Sequence, residues 1–220
     1  MAQVIKNFSK YRYLLGELVR KNIKLKYRRS YLGMMWTMIE PLLTMIVLSV
    51  VFGTLLGRKG NDESVPFPVY VLTGRLLYSF FSTATNSAMR SIRANAAMIK
   101  KVYVPKYMYP LSNIISNFIV FLISLVVLVI VILFFIITGK YSAPATFYLF
   151  GTLIPLINLL VFATGVGLIL STLSVFFRDL EYLWGVVLML IMYCSAIFYY
   201  ADSMKGTSKI LIKFNPLFGI

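Results

Sequence analysis

An all-α, polytopic membrane bundle is the fold class that this 220-residue sequence predicts. Three observations carry it. Sixty per cent of the residues are apolar and 13% are charged, against about 25% charged in ordinary globular domains, and the mean hydropathy is +0.83. A soluble chain of this length has too little polar cover for that much apolar surface. The apolar residues also gather in nearly charge-free runs, each long enough to cross a ~30 Å hydrocarbon core as a helix rising 1.5 Å per residue. Those runs lack the ten-residue alternation of barrel strands. No soluble domain, internal repeat or low-complexity linker interrupts them, so residues 1–220 read as one transmembrane domain.

Residues 1–30 come first and are amphipathic rather than apolar. At 100° per residue, Phe8, Tyr11, Leu15 and Leu18 fall within an arc of about 80°. Lys6, Lys10, Arg20, Lys21, Lys24 and Arg28 fall opposite, while Arg12, Lys26 and Arg29 break the pattern. This predicts an interfacial helix lying in the headgroup plane with its apolar face on lipid. A plain positively charged tail is the alternative. The segment has no apolar run of signal-peptide type.

Five spans are predicted next, at about 31–56, 68–89, 108–138, 146–172 and 183–200. The third and fourth sit in uncharged stretches that overshoot the bilayer, which predicts tilt or protrusion. Residues 201–220 are too short and too polar to cross, and read as an external segment with a short amphipathic piece (Ile210, Leu211, Ile212, Phe214) stopped by Asn215-Pro216.

Charge orients the bundle. The 22 Lys+Arg against 7 Asp+Glu give a net charge of +15. Fifteen of the basic residues fall in segments 1–30, 90–106 and 176–183, and six in the alternate connections. The positive-inside rule then places the N-terminus in the cytoplasm and the end of the fifth span outside. Because the cations flank apolar runs, they point to lipid headgroups and topology rather than to nucleic acid.

The inventory of reactive groups is short. There is no histidine and a single cysteine, Cys194, which excludes histidine-based metal sites, Cys-His dyads and an intrachain disulfide. Gly53–Lys59 (GTLLGRK) lacks the spacing and the Lys-Ser/Thr pair of a phosphate-binding loop; Gly53 and Gly57 read instead as close helix packing. No catalytic, metal or cofactor residues are predicted. Within the spans only Glu40 is acidic and only Arg75 basic, too few for an ion-coupled carrier with a chain of intramembrane carboxylates. Work against a gradient therefore needs energy from elsewhere, most simply a separate ATP-hydrolysing subunit, which has to grip cytoplasmic elements.

Two such elements stand out. Met89–Asn113 combines a short helical stretch, Asn95–Lys101, with Pro105 and Pro110, and offers Asn95, Met98, Lys100, Lys101, Pro105 and Lys106 as coupling or gating residues. A solvated positive loop explains the same charge. Phe176–Leu183 (FFRDLEYL) offers Arg178 and Asp179 at a tight turn; capping by Asp179 and snorkelling by Arg178 is the simpler reading.

Several segments, taken in order, resemble the membrane subunits of type-two ATP-binding-cassette exporters of polysaccharides and polyol phosphates. They are Lys26–Gly33 (KYRRSYLG), Trp36–Pro41 (WTMIEP), Phe52, Pro66–Gly74 (PFPVYVLTG), Lys101–Pro110 (KVYVPKYMYP), Phe176–Leu180 (FFRDL) and Asn215–Leu217 (NPL). The resemblance implies two permease copies paired with two nucleotide-binding ATPase copies. It implies export of a lipid-linked glycan or teichoic-acid-like polymer across the bacterial cytoplasmic membrane, with ATP used by the partner and no cofactor on this chain. It also implies that Asn95–Lys106 contacts the ATPase or gates the entering headgroup. In that family NPL precedes a sixth span, which this sequence, ending at Ile220, does not display. Arg75 departs from the apolar residue expected there.

The aromatic residues make up 15% of the chain. Trp36, Tyr78, Phe80 and Phe81 are candidates to line a conduit in which sugar rings slide by stacking; interfacial belts and lipid-facing surfaces explain most of the others. Glu40 and Arg75 each lie about 14–15 Å into antiparallel spans, from opposite ends, at 1.5 Å per residue. Because an isolated charge at that depth costs at least ~2.5–3.5 kcal/mol, a Glu40–Arg75 contact, direct or through water, is expected; satisfaction of backbone groups beside Pro41 is the alternative for Glu40. An ATP-independent channel or scaffold is the competing function, and a membrane enzyme lacks catalytic residues.

Overall fold

The computed structural model describes residues 2–28, 31–55, 66–101, 104–139 and 153–195, and among these it is helical with no strand. The elements are α1 (Ala2–Tyr27), a 3₁₀ turn (Gly33–Met35), α2 (Trp36–Leu48), a π-helical stretch (Ser49–Leu55) and α3 (Phe67–Ala94). They continue with α4 (Ala96–Ile99), α5 (Met108–Ile137), α6 (Leu153–Phe176) and α7 (Leu180–Cys194). The predicted external segments around 57–65, 140–145 and 201–220 lie outside the described residues, as do residues 146–152 and 196–200 of the fourth and fifth predicted spans.

Among the described residues, three helical stretches are long and apolar enough to cross a membrane: Gly33–Gly53, Met108–Ile137 and Leu153–Phe176. α3 has the length, 28 residues, but carries Arg75, Arg90 and Arg93. α7 is apolar but has 15 residues, about 22 Å at 1.5 Å per residue. This is an all-α helical bundle of a multi-pass membrane protein.

α3 is the central post. Its stripe Val69, Leu72, Leu76, Phe80, Ala84 and Ala88 recurs every three or four residues and is buried, as the 3.6-residue period requires of one helix face. Ile114, Phe121, Val127 and Val131 of α5, Leu159 and Ala163 of α6 and Leu188 of α7 complete the core. Phe80 stacks on Phe121 with centroids 5.0 Å apart and Phe81 on Phe162 at 5.4 Å. A tight approach occurs at Gly167, where a Cβ would stand 2.9 Å from Ile114 Cδ1 and 3.1 Å from Ala88 Cβ. Only a missing side chain lets α3, α5 and α6 meet there, the small-residue packing typical of helices without a hydrophobic drive between them.

Several polar groups inside the bundle are bonded across helices. Ser174 Oγ donates to the Met89 carbonyl at 2.6 Å, Trp184 Nε1 to Thr85 Oγ1 at 3.1 Å, and the Tyr78 hydroxyl to the Leu188 carbonyl at 3.0 Å. Pro41, inside α2, has no N–H to give to the Thr37 carbonyl four residues back. Ser124 Oγ of α5 donates to that carbonyl at 3.0 Å, so the acceptor freed by the proline is bonded rather than orphaned in an apolar medium.

The pairings also fix relative direction. Phe81–Phe162, Ala88–Gly167 and Met89–Ser174 run in parallel, whereas Tyr78–Leu188 and Thr85–Trp184 run antiparallel. The α3–α5 connection and the α6–α7 turn therefore share one end of the bundle. α1 joins them there, with Asn22 Nδ2 donating to Ser112 Oγ at 3.3 Å.

Several expectations are corrected. The apolar face of α1 around Leu15 and Leu18 is covered by protein rather than lipid: both are buried with Val104, Met108 and Tyr109 at the entrance of α5, and Tyr11 packs beside them. The first span is not a uniform helix but passes from 3₁₀ through α to π geometry. The helix α3 that holds the predicted span 68–89 continues to Ala94, and Arg90 and Arg93 in its last turns pair with Glu181. The helices that hold parts of the predicted spans 146–172 and 183–200 end at Phe176 and begin at Leu180, respectively. The helical piece expected over Asn95–Lys101 is the single turn Ala96–Ile99; Asn95 breaks it from α3 at φ −104° and donates from Nδ2 to the Ser91 carbonyl at 2.8 Å.

A polar groove and a charged end

Three polar stripes face one another where α2, α3, α5 and the C-terminal end of α1 converge. On α2 they are Trp36, Thr37, Glu40 and Thr44; on α3, Arg75, Ser79 and Thr83; on α5, Asn117 and Ser124. Within each stripe the members recur at i+3, i+4 or i+7, so each helix turns one polar edge toward the same space. Lys26 and Tyr27 of α1 close it at one side. The result is a groove of about 160 Å³.

Three threonine hydroxyls lining it are already committed as donors. Thr37 gives its proton to the Met34 carbonyl at 2.7 Å, Thr44 to Glu40 at 2.8 Å and Thr83 to Ser79 at 2.7 Å. Their free lone pairs accept hydrogen bonds. The rings of Trp36, Tyr27 and Phe80 supply apolar faces and Lys26 and Arg75 supply charge. Acceptors and flat rings suit a polyhydroxylated ligand, and two cations against the single carboxylate of Glu40 suit an anionic portion.

Glu40 and Arg75 both line this groove, but no direct ion pair joins them. The guanidinium of Arg75 instead lies over the Tyr78 ring, 5.8 Å from its centroid, a cation–π arrangement that spares it an isolated position. The cation that feels Glu40 is Lys26. Its ammonium reaches Asn117 Oδ1 at 3.4 Å, where burial lowers its pKa below the usual lysine value and the Glu40 carboxylate pulls it partway back. Tyr27 beside it is raised, by burial first and then by Glu40. Lys26, Asn117 and the hydroxyl stripes were not singled out by the sequence analysis. The signal available was the i, i+4 spacing of Arg75, Ser79 and Thr83, and of Trp36, Glu40 and Thr44.

The four conduit aromatics separate. Trp36 is 44% exposed and Phe80, though 2% exposed, closes the groove wall. Tyr78 is tied to α7 and Phe81 to Phe162 and Trp184 of α6 and α7. These two rings take part in packing between α3, α6 and α7.

The candidates for coupling gather at the shared end of the bundle. Lys100, Lys101, Lys106, Arg178 and Asp179 are exposed there, and Pro105 is half-buried. Met98 packs against the α1 cluster, while Asn95 closes α3. Asp179 sits at the N-cap of α7 but makes no side-chain cap hydrogen bond, so the capping role expected of it is corrected. The acid that acts is Glu181, in the first turn of α7. Arg90 Nε lies 3.0 Å from its Oε2, and Arg93 Nη2 pairs with its Oε1. A carboxylate there also meets the positive end of the helix dipole. This two-arginine clamp ties the segment entering α4 to the α6–α7 turn.

Known proteins place the chain. Residues 13–219 match the ABC-2 type transporter family. An O-antigen export system permease protein of Klebsiella pneumoniae is 30% identical over 204 residues, covering 93% of this chain and 75% of that protein. Its counterpart in Myxococcus xanthus is 26% identical over 222 residues, 99% of this chain and 80% of that protein. A capsule polysaccharide export inner-membrane protein of Neisseria meningitidis is 24% identical over 194 residues, 87% of this chain and 69% of that protein. With a helical membrane bundle, a match over nearly its whole length and these relatives, this chain belongs to the ABC-2 type transporter family.

Proposed function

We propose that the chain is the permease subunit of an ATP-driven exporter that carries a lipid-linked polysaccharide, or a similar anionic polymer of the teichoic-acid type, across the bacterial cytoplasmic membrane. The observation that carries this reading is the groove between α2, α3 and α5, whose rings, hydroxyl acceptors and cations match a glycan joined to a phosphate. The relatives named for O-antigen and capsule export support the substrate class.

In this reading the chain binds no nucleotide and no cofactor. ATP is hydrolysed by a separate subunit that docks at the charged end formed by α4, Lys101 and the Arg178–Asp179 turn. The Arg90/Arg93–Glu181 clamp makes that end move as one piece, so a push on α4 also displaces α7. Two permease copies with two ATPase copies form the working unit. The charged end faces the cytoplasm, the five predicted spans cross the bilayer with α3 and α7 among them, and α1 lies at the inner interface. The test is ATP-dependent movement of the lipid-linked polymer by the permease and its ATPase in sealed vesicles, which an ATP-independent channel does not need.

A further inference from the structure

A second cavity opens at the charged end, away from the polar groove. It is a cleft of about 580 Å³ between the end of α3, α4, the start of α5 and the end of α6. Its walls are apolar, with Ile92, Ile99, Val175 and Phe176 among them, and Lys100 and Lys106 stand in its lining with Thr172. Among the described residues no acidic side chain lines it. The nearby carboxylate of Glu181 is engaged by Arg90 and Arg93, and among the described residues neither lysine makes an ion pair.

Depth and exposure narrow the occupant. The cleft lies where the apolar length of α6 ends at Phe176, which is 75% exposed beside Val175 at 47%. It is therefore at headgroup level, with an apolar wall below two cations. Basic pockets between helices at this level hold anionic headgroups, and each nearby Lys adds attraction to an anionic lipid. On α4, Ala96 and Lys100 line the cleft, and Ile99 both lines it and packs with Met98 against the α1 cluster. Lys101 does not line the cleft, which leaves it to a docking protein.

We infer that this cleft is a binding site for an anionic phospholipid of the bilayer, its phosphodiester held between Lys100 and Lys106 and an acyl chain laid along Val175 and Phe176. Assignment to the inner leaflet rests on the orientation proposed above; the binding itself does not. A lipid seated there fills the space between α4 and α6 and stiffens the region on which the ATPase pushes.

The test uses the permease co-purified with its ATPase partner, reconstituted in vesicles of equal phosphatidylglycerol and phosphatidylcholine. The complex is then extracted in mild detergent for lipid counting by native mass spectrometry. Both leaflets carry both lipids, so an inverted orientation leaves the result unchanged, and orientation is read separately by labelling. The expected result is retained phosphatidylglycerol, roughly 10- to 30-fold weaker in Lys100→Gln/Lys106→Gln and restored in Lys100→Arg/Lys106→Arg. Thr172→Phe, which fills the cleft and keeps both charges, also lowers retention. Equal retention of phosphatidylcholine, or undiminished phosphatidylglycerol in the Gln pair and in Thr172→Phe, overturns the site. So does a wild-type complex that retains none, which makes the cleft part of the ATPase seat.

Discussion

Gly167 shows how one position decides a helix crossing. Any Cβ there must push against Ala88 Cβ, a rigid atom 3.1 Å away, as well as the mobile Ile114 Cδ1. Gly167→Ala is expected to destabilise the protein by about 1–3 kcal/mol, the usual cost of overpacking. Two residues earlier, Gly165 has nothing within 4 Å of an added Cβ, so Gly165→Ala leaves stability unchanged or slightly raised. Thermal unfolding midpoints of the two variants in one detergent check the contrast. At the same scale lies the residue least legible in the sequence: Arg75 stands out as a lone charge, yet its partner is the ring of Tyr78, one turn along the same helix, rather than the acid of the neighbouring span. Hydropathy cannot register a neutral partner for a charge.

At the scale of elements, α2 and α7 are held by specific polar contacts, and each contact predicts an asymmetry. Ser124→Ala leaves the Thr37 carbonyl without its donor, a loss of about 0.6–1.7 kcal/mol for an interhelical hydrogen bond in a membrane protein. In a Pro41→Ala background the alanine N–H serves that carbonyl, so the same Ser124→Ala change costs less. A double-mutant cycle on unfolding midpoints measures the coupling, and strict additivity counts against the role assigned to Pro41. For α7, Glu181→Ala removes the acceptor shared by Arg90 and Arg93. Because the three side chains are partly exposed, about 1–2 kcal/mol is expected. Hydrogen exchange is expected to accelerate in α7 and the α6–α7 turn, with the α3–α5 core unaffected. The interiors of most elements were legible because twenty uncharged residues admit few alternatives. Their ends were not: Arg90 and Arg93 look like a boundary until Glu181, ninety residues away in the chain, is seen beside them. The groove was hidden for a related reason, since Ser79, Thr83 and Thr44 are ordinary helix residues until three stripes are set face to face.

Over the whole molecule, the charged ends named by the sequence do meet at one end of the bundle, and the seat of α1 on α5 turns an expected lipid-facing helix into part of the protein. Sidedness follows from the proposed orientation. In a Cys194→Ser background, a cysteine at Asn95 is expected to react with a membrane-impermeant thiol reagent only after permeabilisation. A cysteine at Ser64 reacts on intact cells. Labelling of Asn95→Cys on intact cells inverts the bundle. The most direct test of the central claim is transport: inside-out vesicles containing the permease and its ATPase partner, loaded with lipid-linked polysaccharide, with protected polymer measured against time. The account predicts accumulation that requires ATP, is lost with a hydrolysis-deficient partner, and falls at least tenfold in Arg75→Ala combined with Lys26→Ala while insertion and ATPase co-purification persist. Equal accumulation without ATP, or with both groove cations removed, contradicts it.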